Sequence, residues 1–116
     1  MDIDAEELKR RLGEVALLDV RGAAEYSGAA GYPCDARQGH IPGARNLDVG
    51  RLLEARSVEE IRELVGEPEG TEVVAYCHSG SRSAMAVQVL AAAGYEARNY
   101  AGSWHEWSSR DDLPVS

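Results

Sequence analysis

The 116-residue chain has no phenylalanine, so its aromatic packing falls to two Trp and five Tyr. Cysteine is scarce. Cys34 and Cys77 stand 43 positions apart with no C-x-x-C pair, and three histidines accompany them. That pattern excludes a disulfide framework and shows no metal-ligand spacing, so no metal is expected. No G-x-x-x-x-G-K-[ST] loop exists for a nucleotide. No stretch approaches the roughly 18 apolar residues of a membrane span, and "MDIDAEELKRRLGE" is acidic and helical rather than basic and then apolar. A cytoplasmic location is the expectation. Positive charge is in deficit: the formal net charge is −8, a field that repels nucleic acid and anionic membranes, so an anion site has to be made by local geometry. There is no internal repeat, low-complexity tract or linker, and 12.5 kDa suits a single domain over residues 1–116.

What is present alternates between helical and strand patterns. In "IDAEELKRRLG", Asp4 is placed to cap, Glu7 completes a capping-box pattern, Leu8 and Leu12 share a face, and Gly13 is expected to end the helix. "VALLDV" is a short apolar run, as in a strand of a parallel sheet buried on both faces, and it leaves Asp19 at its C-terminal end. Residues 27–44, "SGAAGYPCDARQGHIPGA", read as one long connection. "SVEEIRELVG" repeats the helix grammar with Ser57 as cap, Glu60 as its partner and Gly66 as the stop. "EVVAYC" is a second strand. "SRSAMAVQVLAAAG" is an Ala-rich helix with Met85, Val89 and Leu90 expected in its buried stripe, closed by Gly94. "YEARNY" reads as a strand and "GSWHEWSS" as a last helical turn. The alternation predicts an α/β domain with a central, mostly parallel sheet.

The stretch "YCHSGSRSA" places Cys77 after a buried strand and Arg82 at a helix start. Backbone N–H groups of such a loop converge at the positive end of a helix, where they stabilise a thiolate. Gly80 permits a positive φ, Ser79, Ser81 and Ser83 add hydroxyl donors without bulk, and Arg82 adds a planar fork suited to an oxyanion. The competing reading is a core cysteine, since free cysteine is among the most buried residue types. Loop, arginine and helix start together favour chemistry. The spacing is C-x4-R, one residue shorter than the C-x5-R of cysteine phosphatases, which disfavours a phosphatase or arsenate reductase.

The sequence resembles the rhodanese or sulfurtransferase family over nearly its whole length. The matching stretches are "LLDVRGAAEYSG", "GHIPGARN", "YCHSGSRSA" as a six-residue active loop, and "GYEARNYAGSWHEW". The insert before GHIPGA and the "GSWHEW" ending look most like the catalytic C-terminal half of tandem thiosulfate sulfurtransferases. The resemblance implies a three-layer domain with a five-stranded, mostly parallel sheet flanked by helices. It implies that Cys77 takes sulfur from thiosulfate as a persulfide and passes it to cyanide, a small thiol or a dithiol protein, with no metal or organic cofactor. His78, Ser79, Gly80, Ser81 and Arg82 would form the substrate and persulfide loop. Asp19 and Arg21 would tie the floor of the loop to the sheet, unless they are merely a cap and an ion pair.

Two positions depart from the family. Ser79 stands where thiosulfate-selective enzymes usually carry a second basic residue and where mercaptopyruvate sulfurtransferases place serine, and Glu25 stands where an arginine is frequent. A 3-mercaptopyruvate sulfurtransferase and a sulfur-carrier or interaction module with little activity alone are therefore the alternatives. His78 either supplies some of the missing charge or is an exposed loop histidine without a role. Cys34 reads as a passive surface thiol, or as a thiol that quenches the persulfide if its loop folds over the site. His40 is expected to bond its loop to the sheet. Trp104 and Trp107 are expected to pack the core or rim, and His105 to point elsewhere with no role.

Overall fold

The computed structural model describes residues 2–116. In chain order the elements are α1 (Ala5–Arg10), β1 (Ala16–Asp19), α2 (Ala23–Ser27), β2 (Arg45–Asn46), α3 (Val49–Glu54), α4 (Val58–Val65), β3 (Glu72–Tyr76), α5 (Ser81–Ala92), β4 (Glu96–Asn99) and α6 (Ser103–Ser109). The four strands form one parallel sheet in the order β2-β1-β3-β4. Its faces are both covered, as the apolar runs of β1 and β3 require. Leu18, Val20, Val73, Ala75 and Cys77 pack with Leu52 of α3, Ile61 and Val65 of α4, and Ala86 and Leu90 of α5. On the opposite face Leu17, Val74 and Tyr76 pack with Leu8 of α1 and with Trp104 and Trp107 of α6. Alternate residues of one strand thus enter opposite cores, which gives the three-layer α/β/α sandwich.

The sheet has four strands where five were expected. Among the described residues the ladder continues beyond β4 only as a single parallel bridge between Asp2 and Asn99, with the Ile3 N–H donating to the Asn99 carbonyl at 3.1 Å. Asp4 then accepts from the Glu7 N–H at 2.8 Å and starts α1, turning the chain out of the sheet before a fifth strand can lengthen. Only half of the capping box at α1 forms, because the Glu7 carboxylate is drawn to Arg98 and Arg11 instead. Ser57 caps α4 as expected, whereas Glu60 accepts from the N–H of Arg56, one residue before the cap. Gly66 ends α4 in the left-handed conformation.

The helix after Cys77 is rotated relative to the expected stripe. Ser83, Ala86 and Leu90 face inward, while Met85 is exposed. The reason is local. The first turn of α5 must aim Ser83 at the cysteine sulfur, and steps of three and four from that residue fall on Ala86 and Leu90. The same geometry leaves Met85 in solvent. The short α2, α3 and β2 lie in segments whose sequence carries too few periodic residues to mark them.

Candidate active site

Cys77 follows β3 at the C-terminal edge of the sheet, where Asp19 at the end of β1 pairs in register with Tyr76, the residue before it. The loop from Cys77 to Arg82 brings its donors onto the sulfur. Cys77 Sγ accepts from the Gly80 N–H at 3.1 Å, the Ser83 N–H at 3.4 Å and the Ser83 hydroxyl at 3.4 Å, with the Ser103 hydroxyl at 3.9 Å. Burial of the thiol raises its pKa and is the largest single influence. The hydrogen bonds from the Ser83 hydroxyl, the Ser83 N–H, the Gly80 N–H and the Ser79 N–H together outweigh it and hold the pKa below the ordinary thiol value. Cys77 is thus a core residue whose sulfur is ringed by donors, so both sequence readings find support in one geometry.

Gly80 is the hinge of this arrangement. Its φ is +97°, and a Cβ there would meet the Ala101 carbonyl oxygen at 2.7 Å. Its own carbonyl accepts from Asn99 Nδ2 at 3.3 Å, which locks the turn, and lies 3.2 Å from the Ser83 hydroxyl as an alternative acceptor for that proton. Ser103 was not singled out in the sequence and holds the other side. Its hydroxyl accepts from the Cys77 N–H at 3.1 Å and donates to the Tyr100 carbonyl at 2.9 Å, and it is the one non-glycine residue at positive φ, +56°, among those described. The next two N–H groups of α6, from Trp104 and His105, donate to the carbonyls of Cys77 and His78 at 2.9 and 3.0 Å. Ser79 and Ser81 are exposed at the mouth.

Arg82 does not extend its fork freely toward a substrate. It pairs in bidentate fashion with Glu25 of α2 at 2.9 and 3.1 Å. Arg82 holds the Glu25 carboxyl below the usual carboxylate range, and the Gly22 N–H adds to the effect. A shallow recess of about 200 Å³ lined by Glu25, Gly31 and Tyr32 adjoins this pair.

The supporting residues divide. Asp19 and Arg21 form a buried pair: the guanidinium meets both carboxylate oxygens, at 2.7 Å in its closest contact, and donates to the Gly39 carbonyl at 2.6 Å. Its Cζ lies 5.0 Å from the centroid of the Trp104 ring. The pair therefore anchors the 27–44 connection and α6, and through α6 the Cys77 carbonyl. Trp104 is fully buried and donates its indole N–H to the Arg37 carbonyl at 3.0 Å. His40 does not bond to the sheet. Its ring contacts the Tyr26 carbonyl of α2 at 2.9 Å and stacks on Tyr26, while the neighbouring Ile41 N–H takes the Tyr76 hydroxyl of β3 at 3.0 Å.

The long connection folds over the active loop. Tyr32 stacks on His78 with ring centroids 3.9 Å apart, and Asp35 Oδ1 lies 2.9 Å from His78 Nε2. His105 was expected to have no role, yet its Nδ1 lies 3.0 Å from the same oxygen. Cys34 stays exposed. Asp35 carries no signal in sequence because its partners lie 43 and 70 residues away.

The rhodanese-like domain model matches residues 4–110, and the chain belongs to that family. A thiosulfate sulfurtransferase of Pseudomonas aeruginosa is 37% identical over 95% of this chain, which spans 44% of that enzyme's length. A crystal structure described as a probable thiosulfate sulfurtransferase superposes with a TM-score of 0.87 at 43% identity, covering 99% of this chain and 47% of that one. A human single-domain sulfurtransferase superposes with a TM-score of 0.71 at 31% identity and is covered over 97% of its length. No helix among the described residues is long and apolar enough to cross a membrane.

Proposed function

We propose that the protein is a sulfurtransferase that moves sulfane sulfur from thiosulfate to a thiophilic acceptor through a persulfide on Cys77. The observation that carries this reading is the sulfur of Cys77 ringed by the Gly80 and Ser83 donors, with its pKa lowered. The thiolate attacks the outer sulfur of thiosulfate. A bond forms between the two sulfurs as the donor's S–S bond breaks, and sulfite leaves with the bonding pair. The terminal persulfide sulfur inherits the negative charge and the loop's N–H donors, which are fixed before the charge arrives. Cyanide, a small thiol or a dithiol protein then attacks that terminal sulfur and returns Cys77 as thiolate. The sulfur is carried on the cysteine itself, so the transfer calls on no organic cofactor. The names of the bacterial and human relatives support the assignment.

One observation favours a second donor, 3-mercaptopyruvate. Glu25 neutralises Arg82, and Ser79 at the mouth is uncharged. A dianion gains less from such a rim than from a free arginine, whereas a donor with a single carboxylate loses less.

The test is intact mass after incubation with each donor, wild type against Cys77→Ser. A gain of one sulfur on the wild type alone, removed by cyanide, is the expected result. Gain from mercaptopyruvate only selects the second donor. Failure with both donors overturns independent sulfur transfer and leaves a carrier module that loads only with a partner.

A further inference from the structure

We propose that Cys34, Asp35, His78 and His105 form a binding site for a divalent cation of the zinc class at the rim of the active loop. The four are scattered over the sequence, but the fold places one donor atom from each within 4.8 Å of all the others. Tetrahedral zinc with bonds of about 2.0–2.3 Å separates its ligand atoms by roughly 3.3–3.8 Å, so side-chain adjustments alone close the set. One thiol, two imidazoles and one carboxylate are also the donor chemistry that a borderline-soft, four-coordinate ion selects over magnesium or calcium.

A second observation points to the same ligand. The Asp35 side chain is 1% exposed; its Oδ1 faces both imidazoles, and its Oδ2 is buried with no hydrogen-bond partner among the described residues. A buried carboxylate oxygen left without a partner costs free energy, and a cation held by both oxygens of Asp35 supplies that partner. Charge balances as well. The Asp35 carboxylate and a Cys34 thiolate offset a 2+ ion, and the thiol proton is released to solvent. On binding, the nitrogens that now face Asp35 turn lone pairs to the metal: His78 through Nε2, with its proton on Nδ1, and His105 through Nδ1, with its proton on Nε2. Cys34 and His105 are exposed, so the ion enters without unfolding.

Such an ion ties together three segments: the long connection, the active loop and α6. It holds the connection over the mouth beside Cys77 and fixes the His78 ring. This role is separate from sulfur transfer and does not depend on the donor.

The experiment uses the full chain with Cys77→Ser, which removes the active-site thiol as a competing ligand, after chelator stripping. Cobalt(II) serves as the spectroscopic probe and zinc as the competitor. The expected result is saturation at one equivalent of cobalt, with intense tetrahedral d–d bands and a thiolate charge-transfer band, both erased by one equivalent of zinc. Adding Cys34→Ser should remove the charge-transfer band, and Cys34→Ser or His105→Ala should each weaken zinc binding by at least about tenfold. Both positions are exposed, and circular dichroism confirms that the variants fold. Zinc should raise the melting temperature of the parent but not of the Cys34→Ser variant. A cobalt spectrum that stays octahedral, or zinc affinity unchanged by both variants, overturns the site.

Discussion

The floor and the rim of the active loop solve opposite electrostatic problems. On the floor Cys77 is buried and surrounded by neutral donors, the N–H groups of Gly80 and Ser83 and the hydroxyl of Ser83, with no cation among the described residues in hydrogen-bond contact with its sulfur. At the rim ionisable side chains pair with one another: Arg82 with Glu25, and Asp35 Oδ1 with the rings of His78 and His105. On the proposed reading, dipoles fixed in the fold prepare Cys77 as the nucleophile, whereas the rim selects among anionic donors. Dipoles suit the proposed cycle, in which the floor holds the negative charge of thiolate and persulfide in turn, because they need no counter-ion to enter or leave. Charges suit a rim that meets solvent and donor.

The largest effect should come from breaking the floor's backbone. Gly80→Ala places a Cβ against the Ala101 carbonyl at a left-handed φ. It should cost about 1–3 kcal/mol of stability, read by denaturant titration, and largely abolish sulfur loading, read by mass. Next comes Ser83→Ala, which removes the side chain that most lowers the Cys77 pKa. It should slow loading at neutral pH by about tenfold, with rate recovered as pH rises, since a hydrogen bond to a charged group is worth about 1.5–3 kcal/mol. A pH-independent defect would mean that Ser83 positions rather than ionises.

The rim should respond more mildly and with donor selectivity. Glu25→Gln frees Arg82 and should raise the rate with thiosulfate relative to mercaptopyruvate by roughly fivefold, the scale of a partly exposed charge pair. Equal changes for both donors would uncouple rim charge from donor choice. The pair also has a pH signature. Arg82 depresses the Glu25 pKa in the folded state, so its stabilisation is present at neutral pH, above the unfolded carboxyl's pKa, and is lost as pH falls through the lowered folded value. Stability profiles of wild type and Glu25→Gln should therefore converge on acidification. The smallest effect belongs to Met85→Gln, which should change stability by less than about 0.5 kcal/mol because the side chain stands in solvent.

Met85 also marks where sequence reading ran out. Hydrophobicity placed it in the stripe of α5, but the phase of that helix is set by Ser83 reaching Cys77, a constraint that belongs to the site and not to the periodicity. The core strands β1 and β3 were legible because burial on both faces leaves an unbroken apolar run, and Cys77 was legible because a glycine- and serine-rich turn joins such a strand to a helix. Family resemblance supplied the roles, not the contacts. Ser103 and Asp35 were invisible because each acts across the fold, and a polar residue looks alike in sequence whether its partner is solvent or a residue far along the chain. The Arg82–Glu25 pair was half legible: both residues stood out, but their union requires α2, too short to be read.

The most direct test of the floor's preparation is the pH titration of the Cys77 thiol, followed by thiolate absorbance in a Cys34→Ser background and repeated with Ser83→Ala. A midpoint below that of an ordinary thiol in the parent, moved upward by Ser83→Ala, is the predicted result. A midpoint at or above the ordinary value, unmoved by the substitution, would contradict the claim that the loop's fixed donors create the thiolate.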